Sequence, residues 1–453
     1  MKIKKICLPL FAVAICLGFA GCGAKQEDEL VLRIANCEEY IDEGDWDEDE
    51  TIELSDGTEI LGENSMVEDF EDWYYETYGK KVRVEYSTYG TNEDLYNQLT
   101  LGSEFDLVCP SEYMILKMMK EDMLEPYSAE FFDESQANNY YVRGLAPYIK
   151  NVFDGLEADG KSLYEYGAGY MWGTMGIVYN PEAVKEEDLH HWSLLLDEDY
   201  KKQITMKDSV RDSYIVGLSI LNEEKLMSEE FLNSSDYRSE LEEMLNATDE
   251  KNVAAVEEIL TRMRENAYSL ETDSGKADMV SGKVVANMQW SGDAVYSMDQ
   301  ADEDDFYLEF FVPEEGSNIW FDGWAMLKNG VSQNKEKQQA AEAFVNFVSR
   351  PDNVIRNMYY IGYTSVISGG EDNSILDYVK YCYEEEEGIQ YDLSYFFGED
   401  AFITTSEEQL HRQLYAAYPT KDVMERSVVM QPYDTEANKR ISNMWTNIRC
   451  FHF

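Results

Sequence analysis

The segment Asn318–Leu327, NIWFDGWAML, sets one carboxylate, Asp322, among Trp320, Phe321 and Trp324. An unpaired carboxylate is expensive to bury among apolar groups. Two arrangements answer that cost. Asp322 can lie in a solvated turn beside Gly323 while the rings join a core. Alternatively it faces a slot where an incoming cation pairs its charge and the rings cover the cation's methylenes, with cation–π attraction of about 0.5–2 kcal/mol per contact. The chemistry in that case is capture, with nothing done to the ligand.

Residues for conversion are scarce. No GxSxG, HExxH or Cys/His pairing is present, and His190, His191, His411 and His452 are a poor supply for acid–base work or for a metal, so neither an enzyme nor a cofactor is expected. The stretch DWDEDETIELSD opens like a calcium loop at Asp45, Asp47 and Asp49. Glu50 stands where the turn Gly belongs, however, and Asp56 closes the loop, so a solvated acidic loop is the simpler reading. Lys+Arg number 37 against 91 Asp+Glu, a net charge of −54. Such a surface repels nucleic-acid phosphates and anionic lipid and attracts cations, although acidity also serves solubility alone.

The elements that must position Asp322 follow from periodicity. Leu30 to Asn36 is short and apolar, a buried strand. An acidic loop or small hairpin runs from Asp42 to Asn64. Ser65 and Glu68 have capping-box spacing before Met66, Phe70, Trp73, Tyr74 and Tyr78 at helical period, and Gly79 can end that helix. Val82, Val84 and Tyr86 alternate as a strand, NEDLYNQLTLG reads as a helix, and FDLVC as a third strand before a PSEY turn and a further helix. This alternation predicts a parallel sheet whose ligands bind beyond the carboxyl ends of the strands. Tyr40 follows the first strand in NCEEY and Tyr113 the third in CPSEY, which puts both at one edge. Near Leu145 to Trp172 the chain crosses into a second unit. There ITMKDSVRDSY is a strand leading into a helix, and ANMQWSGDA a strand ending in a turn. NIWFDGWAML can return the chain to the first unit, and Pro351 stops the amphipathic helix KQQAAEAFVNFV.

The first residues, MKIKKICLPLFAVAICLGFAGC, have the basic flank and short apolar run of a secretory signal. Small residues before Cys22 resemble a lipobox, with Phe19 where Leu is usual, so Cys22 is expected to carry lipid. An ordinary cleaved signal with a chance cysteine is the alternative. Cys37, Cys109, Cys382 and Cys450 remain in the mature chain without a CxxC pair, and disulfides are permitted but not required.

Taken in order, RIANCEEYID, FDLVCPSEYMI, GYMWGTMGIVYNP, MKDSVRDSY, ANMQWSGDA, PEEGSNIWFDGWAML and FVNFVSRPDNVIRNMYYIGYTSV resemble the spermidine/putrescine-binding lipoproteins of ABC importers. The resemblance implies an α/β, two-lobed periplasmic-binding-protein-like fold of type II, hinge-connected, each lobe a mixed sheet flanked by helices. It implies a signal over 1–21 and a tether over 22–29. The first lobe then takes 30–147 and 317–368, and the second 148–316 and 369–453. The acidic loop near Asp45, the stretch Glu223 to Asn266 and the region Gly369 to Thr420 look expanded relative to compact relatives.

Carried over motif by motif, the resemblance implies ligand contacts at Tyr40, Ser111, Tyr113, Ser209, Asp212, Trp290, Trp320, Asp322 and Tyr363. Asp322 and Asp212 would pair ammonium groups, the rings would cover methylenes, and Ser111 would offer a hydroxyl. Two positions depart from the pattern: Ser209 replaces a common acid, and Cys37 a common Trp. Gln431 approximates a C-terminal contact on a slipped alignment. The implied partners are a polyamine, an ABC permease with its ATPase, and the membrane through Cys22, with a monomer expected and no nucleic acid. Rivals stay open. Ser209 and Asp212 can be a helix cap and a dipole-favoured acid. Trp290 and Trp320 can be core, Tyr363 a turn residue, and Asp293 a local pairing partner. Asp212 and Asp322 can be the carboxylates of a surface glycosidase, the acidic loop can mark a calcium-binding structural lipoprotein, and the fold can hold another cationic or small solute.

Overall fold

The computed structural model describes residues 29–450, so the leader and the lipidation residue Cys22 lie outside the described residues. Leu30–Cys37 runs parallel to Val82–Tyr89 on one side and to Leu107–Val108 on the other. The helices Met66–Tyr78 and Asn92–Thr100 make the crossovers. The first of them starts where the sequence says. Ser65 and Glu68 close a reciprocal capping box, and Gly79 ends the helix in the left-handed region at φ 66.

Two long strands, Gly167–Tyr179 and Ser317–Leu327, are buried along their whole length and pair antiparallel. Their near-continuous apolar composition is what burial on both faces demands. At one end Ala325 pairs with Val108 of the first half-sheet. At the other, Ile177 pairs with Met288 of Ala286–Trp290 and with Phe311 of Glu309–Phe311. The second half-sheet continues through Ile204–Lys207, which runs parallel to both Ala286–Trp290 and Ser269–Glu271. Both half-sheets therefore share these two strands, which connect them.

Several details differ from expectation. Asp322 lies inside the strand Ser317–Leu327 and is 9% exposed, so the solvated-turn arrangement is excluded. Pro351 does not merely stop the helix Lys335–Val348. It opens the next one, Pro351–Ile361, at a first-turn position where its missing N–H leaves no gap. The strand Ala286–Trp290 runs directly into the helix Ser291–Glu303 without an intervening turn. The PSEY stretch is likewise the start of the helix Glu112–Lys120, with Ser111 at its N-cap. The stretch after Glu223 is broken into short helices before Glu250–Asn266, which packs on Val210–Leu221 and on Thr435–Cys450.

The acidic segment after Tyr40 is tied down by the helix Pro351–Ile361. Asp42 is buried, accepts from the Gly44 N–H at 2.8 Å and from Trp46 Nε1 at 3.0 Å, and pairs with the Arg356 guanidinium. Arg356 also reaches Asp69 and the Asn64 carbonyl, so one side chain of the helix Pro351–Ile361 holds the loop and the helix that follows it. Removing one member of a buried pair typically costs about 3–5 kcal/mol, because the other charge is left stranded. Arg356→Met is expected to lower stability by about that amount in equilibrium chemical denaturation; an unchanged midpoint would mean that water already compensates Asp42.

Candidate functional site

Asp322 sits at an irregularity between the strands Gly167–Tyr179 and Ser317–Leu327. Phe321 pairs with Trp172 and Gly323 with Gly169, so Tyr170 and Met171 together oppose Asp322. A bulge of this kind re-aims side chains and opens the ladder to other partners. Two are taken here. Ser111 bridges to Asp322, with the Gly323 N–H donating to the Pro110 carbonyl at 3.1 Å. The short strand Thr364–Ser365 pairs with Met171 and Trp172, which brings the preceding Tyr363 to the same place.

The carboxylate is held by hydroxyls. Tyr40 donates to Oδ2 at 2.8 Å and Ser111 to Oδ1 at 2.7 Å. Both donors are fixed by neighbours absent from the sequence-derived set. Asn92 Nδ2 donates into Ser111 Oγ at 2.9 Å, which leaves the Ser111 proton for Asp322, and Asn92 Oδ1 accepts the Ser111 N–H at 3.1 Å. Tyr170 donates to the Tyr40 carbonyl at 2.7 Å. Among the described residues no Lys or Arg pairs with Asp322. Burial pushes its carboxyl up to about 6 against the two hydroxyls, and the charge of Asp212 adds to the rise.

Ser209 and Asp212 take the helix-cap arrangement weighed for them. Ser209 is the N-cap of Val210–Leu221, its Oγ accepting the Asp212 N–H at 3.4 Å. Asp212 is at the same time buried and within electrostatic reach of Asp322. Burial raises its carboxyl, opposed by Ser209, Lys207 and Trp290. Tyr363 stands edge-on to Tyr40 at 5.0 Å between ring centres and 5.8 Å from Trp320. Gly292 makes room for that ring: a Cβ there would lie 2.3 Å from it. Tyr40, Ser111, Trp320, Asp322 and Tyr363 thus form one contiguous group, and Asp212, which accepts from Asn318 of the same strand as Asp322 at 3.5 Å, lies within electrostatic reach of it.

Two further rings already carry a cation. Lys207 is fully buried, stands 4.2 Å over the Trp290 ring, and lies 3.3 Å from both Glu271 and Asp293. Arg211 is 4.3 Å over Tyr113 and 3.7 Å over Tyr433, and donates to the Gln431 carbonyl at 2.7 Å. Asp293 does pair locally. It accepts from the Tyr363 hydroxyl at 2.7 Å and has Lys276 at 3.7 Å as well as Lys207. Although burial works the other way, Lys276 and Lys207 hold its carboxyl below the ordinary range. Lys276 also faces Glu39, next to Tyr40, at 3.7 Å. Glu112, beside Ser111, is buried and accepts the Phe321 N–H at 2.9 Å, and burial pushes its carboxyl up to about 8. A lysine ending the apolar strand ITMK and an arginine inside DSVRD were visible signals for Lys207 and Arg211. Asn92 and Tyr170 gave none. Cys37, Cys109, Cys382 and Cys450 are free thiols.

The family profile of bacterial extracellular solute-binding proteins matches residues 65–374, more than half of the chain. The spermidine/putrescine-binding periplasmic protein of Salmonella typhimurium is 28% identical over 285 residues, covering 62% of this chain and 70% of that protein. The putrescine-binding periplasmic protein PotF of Escherichia coli is 24% identical over 292 residues, 63% of this chain and 71% of its own. Among solved structures, a putative spermidine/putrescine ABC transporter protein from Listeria monocytogenes superposes with a TM-score of 0.64 at 22% identity, covering 93% of this chain and 99% of that one. The substrate-binding protein PotD of Streptococcus pneumoniae gives 0.59 at 24% identity over 93% of this chain and 99% of its own. These structural likenesses establish the fold. No helix among the described residues is long and apolar enough to cross a membrane.

The raised carboxyl of Asp322 has a measurable sign. Its folded value of about 6 lies above the ordinary 3.8, so its charge opposes folding above pH 6, and the opposition fades as pH falls from about 6 to 4. Asp322→Asn is expected to be the more stable protein at pH 7.5, by up to about 3 kcal/mol, with the difference gone below pH 4. Thermal unfolding of both proteins across this range measures it. A difference that does not change with pH would show that Asp322 is not buried as an ion.

Proposed function

Because the chain belongs to the bacterial extracellular solute-binding proteins, we propose that it captures a polyamine outside the cytoplasmic membrane and delivers it to an ABC permease and its ATPase. The single observation that carries this is the contrast among three buried carboxylates. Asp293 has Lys207 and Lys276 against it, whereas Asp322 has two hydroxyls and no protein cation, and Asp212 has no Lys or Arg in ion-pair contact among the described residues. Two negative charges left for a ligand, with Tyr40, Trp320 and Tyr363 between or beside them, suit a chain of methylenes with an ammonium at each end.

The same contrast favours a short diamine. A third ammonium would have to share Asp293 with Lys207 and Lys276, and the Trp290 and Tyr113 faces turned to those cations are taken. The first lobe, from 30–147 and 317–368, holds Asp322 in a site assembled before the ligand arrives. The second, from 148–316 and 369–453, adds Asp212 on closure, and the ligand shifts that equilibrium by its differential affinity. No reaction on the ligand is part of this function, and the receptor acts as a monomer tethered through a lipid on Cys22.

Isothermal titration with putrescine and spermidine tests the ligand. One-to-one binding is expected, putrescine the tighter, and Asp322→Asn should lose about 2 kcal/mol or more, roughly thirtyfold or greater in Kd. A folded protein that takes up no amine would refute the assignment. For the tether, the chain expressed with its leader should fractionate with membranes and incorporate labelled fatty acid, and Cys22→Ala should do neither; a membrane-bound Cys22→Ala protein would remove the lipid from the picture.

A further inference from the structure

At the far end of the helix Val210–Leu221, away from Asp212, three side chains from distant segments converge. His191, Glu223 and Glu315 each offer one donor atom, and these atoms all lie within 4.8 Å of one another. Glu315 is 1% exposed. Its Oε1 meets His191 Nδ1 at 3.0 Å, but its Oε2 is equally shielded and has no hydrogen-bond partner among the described residues. Buried polar atoms without partners are rare and costly in folded proteins.

The local charges sharpen the problem. The other ionisable neighbour in the cluster, Glu223, is a second carboxylate. One imidazole, even protonated, supplies a single positive charge against two negative ones. A divalent cation would match both carboxylates and ligate the orphaned Oε2. An imidazole nitrogen with carboxylate oxygens suits a first-row transition ion, whereas calcium and magnesium take oxygen donors. Three protein donors with one position left for water is a common zinc arrangement.

We propose that His191, Glu223 and Glu315 form a divalent transition-metal site, with zinc as the ion it fits best. The surrounding backbone supports the geometry. Trp192 Nε1 donates to the Gly316 carbonyl at 2.9 Å, and the Glu314 N–H to the His190 carbonyl at 2.8 Å, so the residues on either side of the His191–Glu315 contact are pinned together. Gly316 takes φ 98, and a Cβ there would stand 2.5 Å from the Arg426 carbonyl oxygen, which fixes the turn that leads into the strand Ser317–Leu327. A metal at this point would tie the start of that strand to the helix Glu223–Leu226, which directly follows the one bearing Asp212. The site is separate from the cleft and does not depend on which solute the cleft holds.

Titration of chelator-treated protein with zinc chloride, followed by visible absorption with cobalt(II), tests the site. One tight equivalent of zinc is expected, together with cobalt bands of low coordination number and a higher Tm with zinc present. His191→Gln, at a side chain 35% exposed, should keep the fold. It should weaken zinc by at least the ~10-fold typical of disturbed metal sites and abolish both the cobalt bands and the Tm shift. Glu315→Gln should do the same, while His411→Gln should behave as the parent. Equal zinc affinity in parent and His191→Gln, or a natively folded parent with no tight equivalent, would overturn the proposal.

Discussion

A carboxylate buried against two hydroxyls, with no Lys or Arg paired to it among the described residues, is a charge that those residues leave unbalanced. Asp322 is in that state, and much of the surrounding architecture can be understood as the means of holding it there. The bulge opposite it turns the strand away from its ladder, Asn92 orients the Ser111 hydroxyl, and Tyr170 fixes the Tyr40 backbone. None of these groups neutralises Asp322. They place its charge, and on the proposed function its compensation comes from the solute.

Elsewhere the same cleft treats charge differently. Lys207, Glu271 and Asp293 are buried together with both signs represented, and Lys276, only partly buried, reaches Asp293 from outside. Arg211 lies between the faces of Tyr113 and Tyr433. On the proposed function, these fixed cations occupy ring faces and carboxylate oxygens that an extended polycation would otherwise use. Discrimination in such a site comes as much from what the protein has already filled as from what it leaves open.

Much of this was legible in the chain. The capping box at Ser65 and Glu68, the strand–helix alternation and the Ser209 cap depend on residues a few positions apart, and they appear where local pattern puts them. What local pattern misses are relations between distant segments. Pro351 reads as a stop from one side and is a start from the other. The bulge that aims Asp322 belongs to the pairing of two strands about 150 residues apart and has no signature in either. Lys207 and Arg211 were visible as residues, but that their charges would settle on Trp290 and Tyr113 is a fact of tertiary packing. His191 beside His190 carries no ligand spacing, because its neighbours come from segments about 30 and 120 residues away.

On the proposed hinge closure, the two strands that run through both half-sheets would put Asp322 near the axis of the swing. A contact at a fulcrum would hardly move, while Asp212, on the helix Val210–Leu221, would travel with the second lobe. Arrival and escape would then fall to different residues. Association would be governed by the stationary carboxylate and the potential around it, and would slow as ionic strength rises. Residence time would be governed by the moving side, where the Glu39–Lys276 pair and the Arg211–Tyr113 stack would have to part before the solute could leave. Drift in the second lobe during evolution would then retune how long a solute is held and leave the rate of its capture nearly untouched.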